Sequence, residues 1–109
     1  MDCLFCKIIA GEIPAKIVYQ DEDILAFKDA KPSAPVHILI IPKKHLSSVT
    51  EISSEDTLLM GKLILVAKKL AEEFKISESG YKLLIRVGKG GGQEVMHIHL
   101  HLTGGKVVY

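Results

Sequence analysis

Apolar and polar positions along this chain recur with two different periods, and each change of period marks an element. Leu4, Phe5, Ile8 and Ile9 recur at helical spacing and predict a short helix, capped by Asp2 and ended at Gly11, with Pro14 closing the unit. Residues 16–20 and 24–28 are short runs rich in Ile, Val, Tyr and Phe on either side of the acidic turn Asp21-Glu22-Asp23, which predicts a hairpin. A loop containing Pro32, Ser33 and Pro35 leads to residues 36–41, a strand apolar enough to be buried on both faces and ended by Pro42. Ser53, Ser54, Glu55 and Asp56 form a helix start, with hydroxyl caps ahead of carboxylates that suit the positive helix end. Leu59, Leu63, Val66, Leu70 and Phe74 then make one stripe, with Met60, Ile64 and Ala67 beside it, which predicts the main helix. Lys68, Lys69, Glu72 and Glu73 mix both charge signs on its other side, so the stripe suits packing on a sheet better than a membrane surface. Residues 81–87 form a fourth strand, Gly88 to Gly92 a glycine-rich connection, and residues 96–102 a last strand antiparallel to the fourth.

The 109 residues make a single domain, 1–109, with room for one core and something to gain from further burial in an oligomer. Fourteen basic residues against thirteen acidic ones leave the chain near neutrality, which argues against a nucleic-acid binder while leaving room for a local site holding one phosphate. No stretch approaches the ~20 apolar residues of a membrane span or the apolar run of a secretion signal, so a cytoplasmic location without membrane contact is expected. Only two cysteines occur, Cys3 and Cys6. In a reducing compartment that spacing points to metal binding or redox chemistry more than to a structural disulfide. The redox reading expects a preceding strand, and none stands before Cys3.

The last strand carries the most concentrated chemistry: His97, His99 and His101, three of five histidines, alternate with Ile98 and Leu100. Side chains two apart on a strand share a face at roughly 7 Å, so the segment offers an imidazole row opposite an apolar row of Met96, Ile98, Leu100 and Leu102. Such a row could ligate a metal, with the thiols of Cys3 and Cys6 completing sulfur-nitrogen ligation. It could instead attack phosphorus, one imidazole forming a phosphoramidate intermediate while its neighbours hold nonbridging oxygens or move a proton. The glycine-rich segment leads into a strand and lacks a Gly-Lys-Ser/Thr ending, which excludes the nucleotide P-loop and the dinucleotide fingerprint. Its glycines can still turn backbone amides toward an anion, or serve only as a hairpin loop.

Several segments occur together in order: Phe5-Cys-Lys-Ile-Ile9 with Glu12-Ile-Pro-Ala15, Leu25-Ala-Phe27 with Asp29, Ala34-Pro-Val-His37 with Ile41-Pro-Lys-Lys-His45, Gly91-Gly-Gln93, and His97 to Gly105. On these the chain resembles the histidine-triad family, and its ending Leu102-Thr-Gly-Gly105 resembles the Hint branch of adenosine phosphoramidases. The resemblance implies an α+β histidine-triad fold, with about five antiparallel strands, one long and one short helix. It implies a homodimer joined through the main helix and the 81–87 strand into a continuous sheet. It implies a purine nucleotide-binding hydrolase or transferase that cleaves nucleoside 5′-phosphoramidates through a nucleotidyl-His99 intermediate. The alternatives are a dinucleoside polyphosphate hydrolase and an AMP-binding sensor or adaptor with little turnover.

The catalytic set implied is His99, His101, His97, His37 and Gln93. Nucleotide binding falls to Phe5, Ile8, Phe27 and Leu39 as purine walls, Asp29 with Ala30 at the ribose, and Arg86, Gly92, Gln93, Glu94, His99 and His101 around the phosphate. Cys3, Cys6, His45 and His97 are implied to hold a structural zinc, with no cofactor needed for catalysis. Two positions depart from the branch pattern: Arg86 stands for an asparagine and Glu94 for a serine. Arg86 could pair with phosphate or with Glu94. The expected result is reduced or altered phosphoramidase activity.

Overall fold

The computed structural model of the chain describes residues 3–105. In chain order the elements are α1 (Leu4–Ile9), β1 (Ile17–Gln20), β2 (Ile24–Lys28), β3 (Val36–Pro42), α2 (Thr57–Glu73), β4 (Tyr81–Ile85) and β5 (Leu100–Gly104). The strands form one antiparallel sheet in the order β1-β2-β3-β5-β4, so the histidine-bearing strand is inserted between β3 and β4.

Both faces of the central strands are buried, and strand alternation divides their residues between the faces. Ile24, Ala26, Ile38, Ile40, Leu100 and Leu102 face α2, which meets them with Leu63, Val66, Ala67, Leu70 and Ala71. Leu25, Phe27, Leu39 and Ile41 face the other way and pack on Phe5 and Ile8 of α1. The molecule is therefore a long helix, a sheet and a short helix in three layers. As the pattern predicts, β3 is buried nearly throughout.

The start of α2 also fixes the loop after β3. The Asp56 carboxylate accepts the Ser53 N–H at 3.0 Å and the Lys44 ammonium at 2.7 Å. Because Lys44 precedes His45, this contact ties the segment bearing His45 to the helix.

Five expectations need correction. Cys3, not Asp2, is the N-cap of α1: its Sγ accepts the Cys6 N–H at 3.3 Å, and Asp2 lies outside the described residues. The last strand begins at Leu100 rather than Met96, because the β3–β5 register stops at Ile40↔Leu100. Two residues further along β3 stands Pro42, which has no N–H for a ladder, and the Ile98 N–H goes to the Leu46 carbonyl at 2.8 Å instead. Met96, which precedes this junction, is exposed, while Ile98, Leu100 and Leu102 are buried. Ile64 faces away from the sheet together with Leu58 and Leu65, and β4 ends at Ile85 rather than Val87.

Leu70 is completely buried at the centre of the α2 layer. Leu70→Ala is expected to lower the unfolding free energy by about 2–5 kcal/mol, the cost of lost burial plus an incompletely collapsed cavity. Equilibrium denaturation checks this, and a loss below about 1 kcal/mol would contradict the packing described.

Candidate active site

The sheet register brings histidines from neighbouring strands onto one face. His101 on β5 pairs with Leu39 on β3, and His37, two residues before Leu39, points to the same side. His37 Nε2 lies 3.0 Å from His101 Nδ1.

Backbone groups decide where the protons sit, since an N–H can only donate and a carbonyl can only accept. The Ser33 N–H donates to His37 Nδ1 at 3.0 Å, which leaves the His37 proton on Nε2. That proton faces His101 Nδ1, with the Asp29 carboxylate 3.3 Å away as a second acceptor. His101 therefore carries its own proton on Nε2, and this buried nitrogen has no partner among the described residues. His99 has the opposite tautomer: Nδ1–H donates to the His97 carbonyl at 2.8 Å, so its Nε2 lone pair is free. His97 donates from Nε2 to the Pro42 carbonyl at 2.8 Å, which leaves its Nδ1 bare.

Electrostatics keeps two of these rings neutral near pH 7. Burial, reinforced by the neighbouring His99 and His37, holds His101 down to about 4. Burial also lowers His37, against the opposing pull of Asp29.

His37, His99 and His101 line a single open groove. Phe5, Ile8, Phe27 and Leu39 form one wall of it, and Asp29 and Ala30 stand at its rim. The Phe5 ring meets the His99 ring edge to face, with centroids 5.1 Å apart. Arg86, Gly92 and Glu94 line the mouth. All these sequence-predicted residues are thus brought together.

Gln93 is placed differently. Its amide Oε1 accepts the Gly88 N–H at 2.8 Å, while Nε2 donates to Ser47 O at 2.6 Å and Val95 O at 3.0 Å. The side chain is buried and staples the glycine-rich turn to the loop after β3, instead of facing the groove. Gly92 within that turn has φ +79°, a left-handed conformation that suits glycine. Arg86 Nη1 donates to the Gly91 carbonyl at 3.3 Å, and no Arg86–Glu94 ion pair occurs among the described residues.

A second cluster lies behind His99. Donor atoms of Cys3, Cys6, His45 and His97 all fall within 4.8 Å of one another. His97 Nδ1 is 3.1 Å from His45 Nδ1, 3.3 Å from Cys3 Sγ and 3.6 Å from Cys6 Sγ. Tetrahedral zinc bonded at its usual distances sets N···N near about 3.3 Å and S···N near about 3.5 Å. The donor set therefore fits zinc, and the His97 Nε2–H bond to a carbonyl is the outer contact that orients a metal-binding imidazole. Burial and the adjacent Cys3 sulfur push the Cys6 thiol up to about 11, so a cation is what would stabilise the thiolate here. Asp29, His37 and His101 are equally close together, but the tautomers derived above fill the space between them with a proton relay.

Some contributors carry no sequence signal. Ser33, Pro42 and His97 act on the histidines through main-chain N–H and C=O groups. Lys82 and Leu84 of β4 also reach the groove, and the alternation of that strand could have indicated them.

Comparison with known proteins agrees with this geometry. A family model described as "HIT domain" matches residues 10–107. The chain is 49% identical over 105 residues to the purine nucleoside phosphoramidase of Escherichia coli (strain K12), covering 96% of this chain and 88% of that protein. It is 47% identical over 103 residues to protein HitA of Neisseria gonorrhoeae, covering 94% and 95% respectively. The crystal structure of a HIT family hydrolase from Legionella pneumophila Philadelphia 1 superposes with a TM-score of 0.96 at 53% identity, covering 97% of this chain and 95% of that one. A histidine triad protein from Clostridium difficile gives the same TM-score at 42% identity, covering 100% and 95%. With a row of alternating histidines in the sheet position described and a family match across nearly its whole length, this chain belongs to the HIT, or histidine-triad, family.

Proposed function

We propose that this protein is a nucleotide hydrolase acting on purine nucleoside 5′-phosphoramidates, through a nucleotidyl group carried on His99. The observation that carries the reading is the bare Nε2 of His99 on the same groove as the Nε2–H of His101, which has no partner among the described residues. The phosphoramidase name of the Escherichia coli relative supports the substrate class.

In the first step the His99 Nε2 lone pair forms a bond to the α-phosphorus as the phosphorus–amine bond breaks. His101 Nε2–H donates to a nonbridging oxygen, with the His37 relay holding its tautomer. The departing amine is protonated from the open mouth of the groove, where Arg86 and Glu94 stand. Water then attacks phosphorus and gives up its proton to solvent in the open groove, the bond to His99 breaks with the electron pair returning to Nε2, and the nucleoside monophosphate leaves. The purine lies against Phe5, Ile8, Phe27 and Leu39, and Asp29 accepts from the ribose hydroxyls. Gln93 serves by holding the glycine-rich turn. Cys3, Cys6, His45 and His97 would hold a zinc ion with four protein donors, in a structural role that would tie α1 to the sheet; the reaction itself needs no cofactor.

The protein acts as a homodimer. Leu58, Leu65 and Ile64 expose an apolar face on α2, next to the open edge strand β4 with exposed Tyr81 and Leu83. An uncovered edge and an apolar helix face together suit pairing with a second copy. No described helix is long and apolar enough to cross a membrane. A cytoplasmic place and the absence of nucleic-acid partners belong to the same proposal.

His99→Ala is expected to retain AMP binding while hydrolysis of an adenosine 5′-phosphoramidate falls by at least about 10³-fold and no labelled nucleotidyl-protein is trapped. A normal rate from this variant overturns the mechanism. AMP binding without turnover by the unmodified protein would instead indicate a sensor.

Leu65→Glu is expected to shift sedimentation toward the monomer; an unchanged dimer would move the interface elsewhere.

Acid stability offers a third check. Folded His101 titrates near 4 instead of 6.5, so between these values the unfolded chain takes up a proton that the folded chain refuses. Stability should therefore fall as pH drops through that window. His101→Gln should flatten the slope of the unfolding midpoint, and an unchanged slope would show that His101 is not held neutral.

A further inference from the structure

The helix α1 is six residues long, well below the length at which a helix persists unaided in water. Its docking comes from two sets of side chains that serve different sites. Cys3 and Cys6 place their sulfurs in the cluster with His45 and His97. Phe5, between them in sequence, and Ile8 pack on the sheet and line the groove. The Phe5 ring lies edge-on to both His97, at 6.0 Å between centroids, and His99, at 5.1 Å.

A second link runs through the backbone. His97 offers Nδ1 to the cluster, and its own carbonyl holds the His99 Nδ1–H at 2.8 Å. Ligation at His97 therefore fixes the group that aims the nucleophile.

We propose that zinc at the cysteine–histidine cluster and a purine nucleotide in the groove bind with positive and reciprocal cooperativity. The inference rests on the nucleotide and zinc readings above. The shared two-state element is α1, docked or undocked, and Phe5 and His97 are the positioning residues that connect it to His99. Either ligand holds the docked form, so the second meets a helix that is already ordered. Linkage requires that each ligand raise the affinity for the other by the same factor.

The test uses the full chain, stripped with a chelator and titrated with zinc ion and AMP. Zinc affinity is measured by competition with a chromophoric chelator, with and without saturating AMP. AMP affinity is measured by calorimetry, with and without zinc. Both affinities should rise by one common factor of at least about fivefold, and either ligand alone should slow amide exchange across residues 4–10. In Phe5→Leu the factor should fall toward one while zinc still binds in the absence of AMP. If stripping unfolds the chain, Cys6→Ser weakens zinc without removal of the other three donors and gives the same factor from AMP titrations across zinc concentrations. Two ligands that bind independently overturn the cooperativity and leave both readings intact. Failure of zinc to bind overturns the metal assignment and the proposal with it. Failure of AMP to bind overturns the nucleotide reading as well.

Discussion

Burial of Ile98, Leu100 and Leu102 beneath α2 dictates the direction of every histidine in the row. Side-chain direction on an extended segment alternates with a period of two, so a slip of one residue would drive three imidazoles into the α2 core and expose the apolar row. The cost of that exchange is several buried aliphatic side chains, far more than any single polar contact at the site supplies. The same constraint explains the central place of β5. Between β3 and β4, its His101 meets His37 from one side and Leu84 of β4 from the other.

Within that frame, chemically identical side chains are made different by the atoms they touch. His97 and His99 both donate to carbonyls, but through opposite ring nitrogens, so one turns its free lone pair toward two sulfurs and the other toward the groove. His101 keeps its proton on the nitrogen that has no partner among the described residues. The result is one family of residues with separate tasks, set by backbone geometry.

Much of the architecture is legible in the chain because period and burial agree. The apolar stripe of α2, the hairpin around Asp21, Glu22 and Asp23, and the doubly buried β3 all appear where their patterns place them. The errors share a different cause: each depends on a contact distant in sequence or on a main-chain atom. β5 begins late because Pro42 offers no N–H and Leu46 supplies an acceptor, which alternation along residues 96–102 cannot register. Arg86 faces Glu94 across one turn in the sequence, yet its guanidinium bonds to Gly91 O within the folded turn. Gln93 carries the chemistry of a ligand contact, and only the fold shows that its amide is consumed by the loop. His37, His99, His101 and the residues named as purine and ribose contacts do converge on one groove, but the tautomers that differentiate the histidines are absent from any reading of residue types.

The acceptor that orients His99 is a peptide carbonyl two residues earlier in its own chain. Where a nucleophile is aimed by a carboxylate side chain, one base change can delete the aiming group. Here every amino acid at position 97 brings the same oxygen. A point substitution at position 97 can therefore shift the acceptor, through loss of the imidazole's own contacts, but cannot delete it, whereas insertions, deletions or a changed chain path between Gln93 and Leu100 redirect it outright.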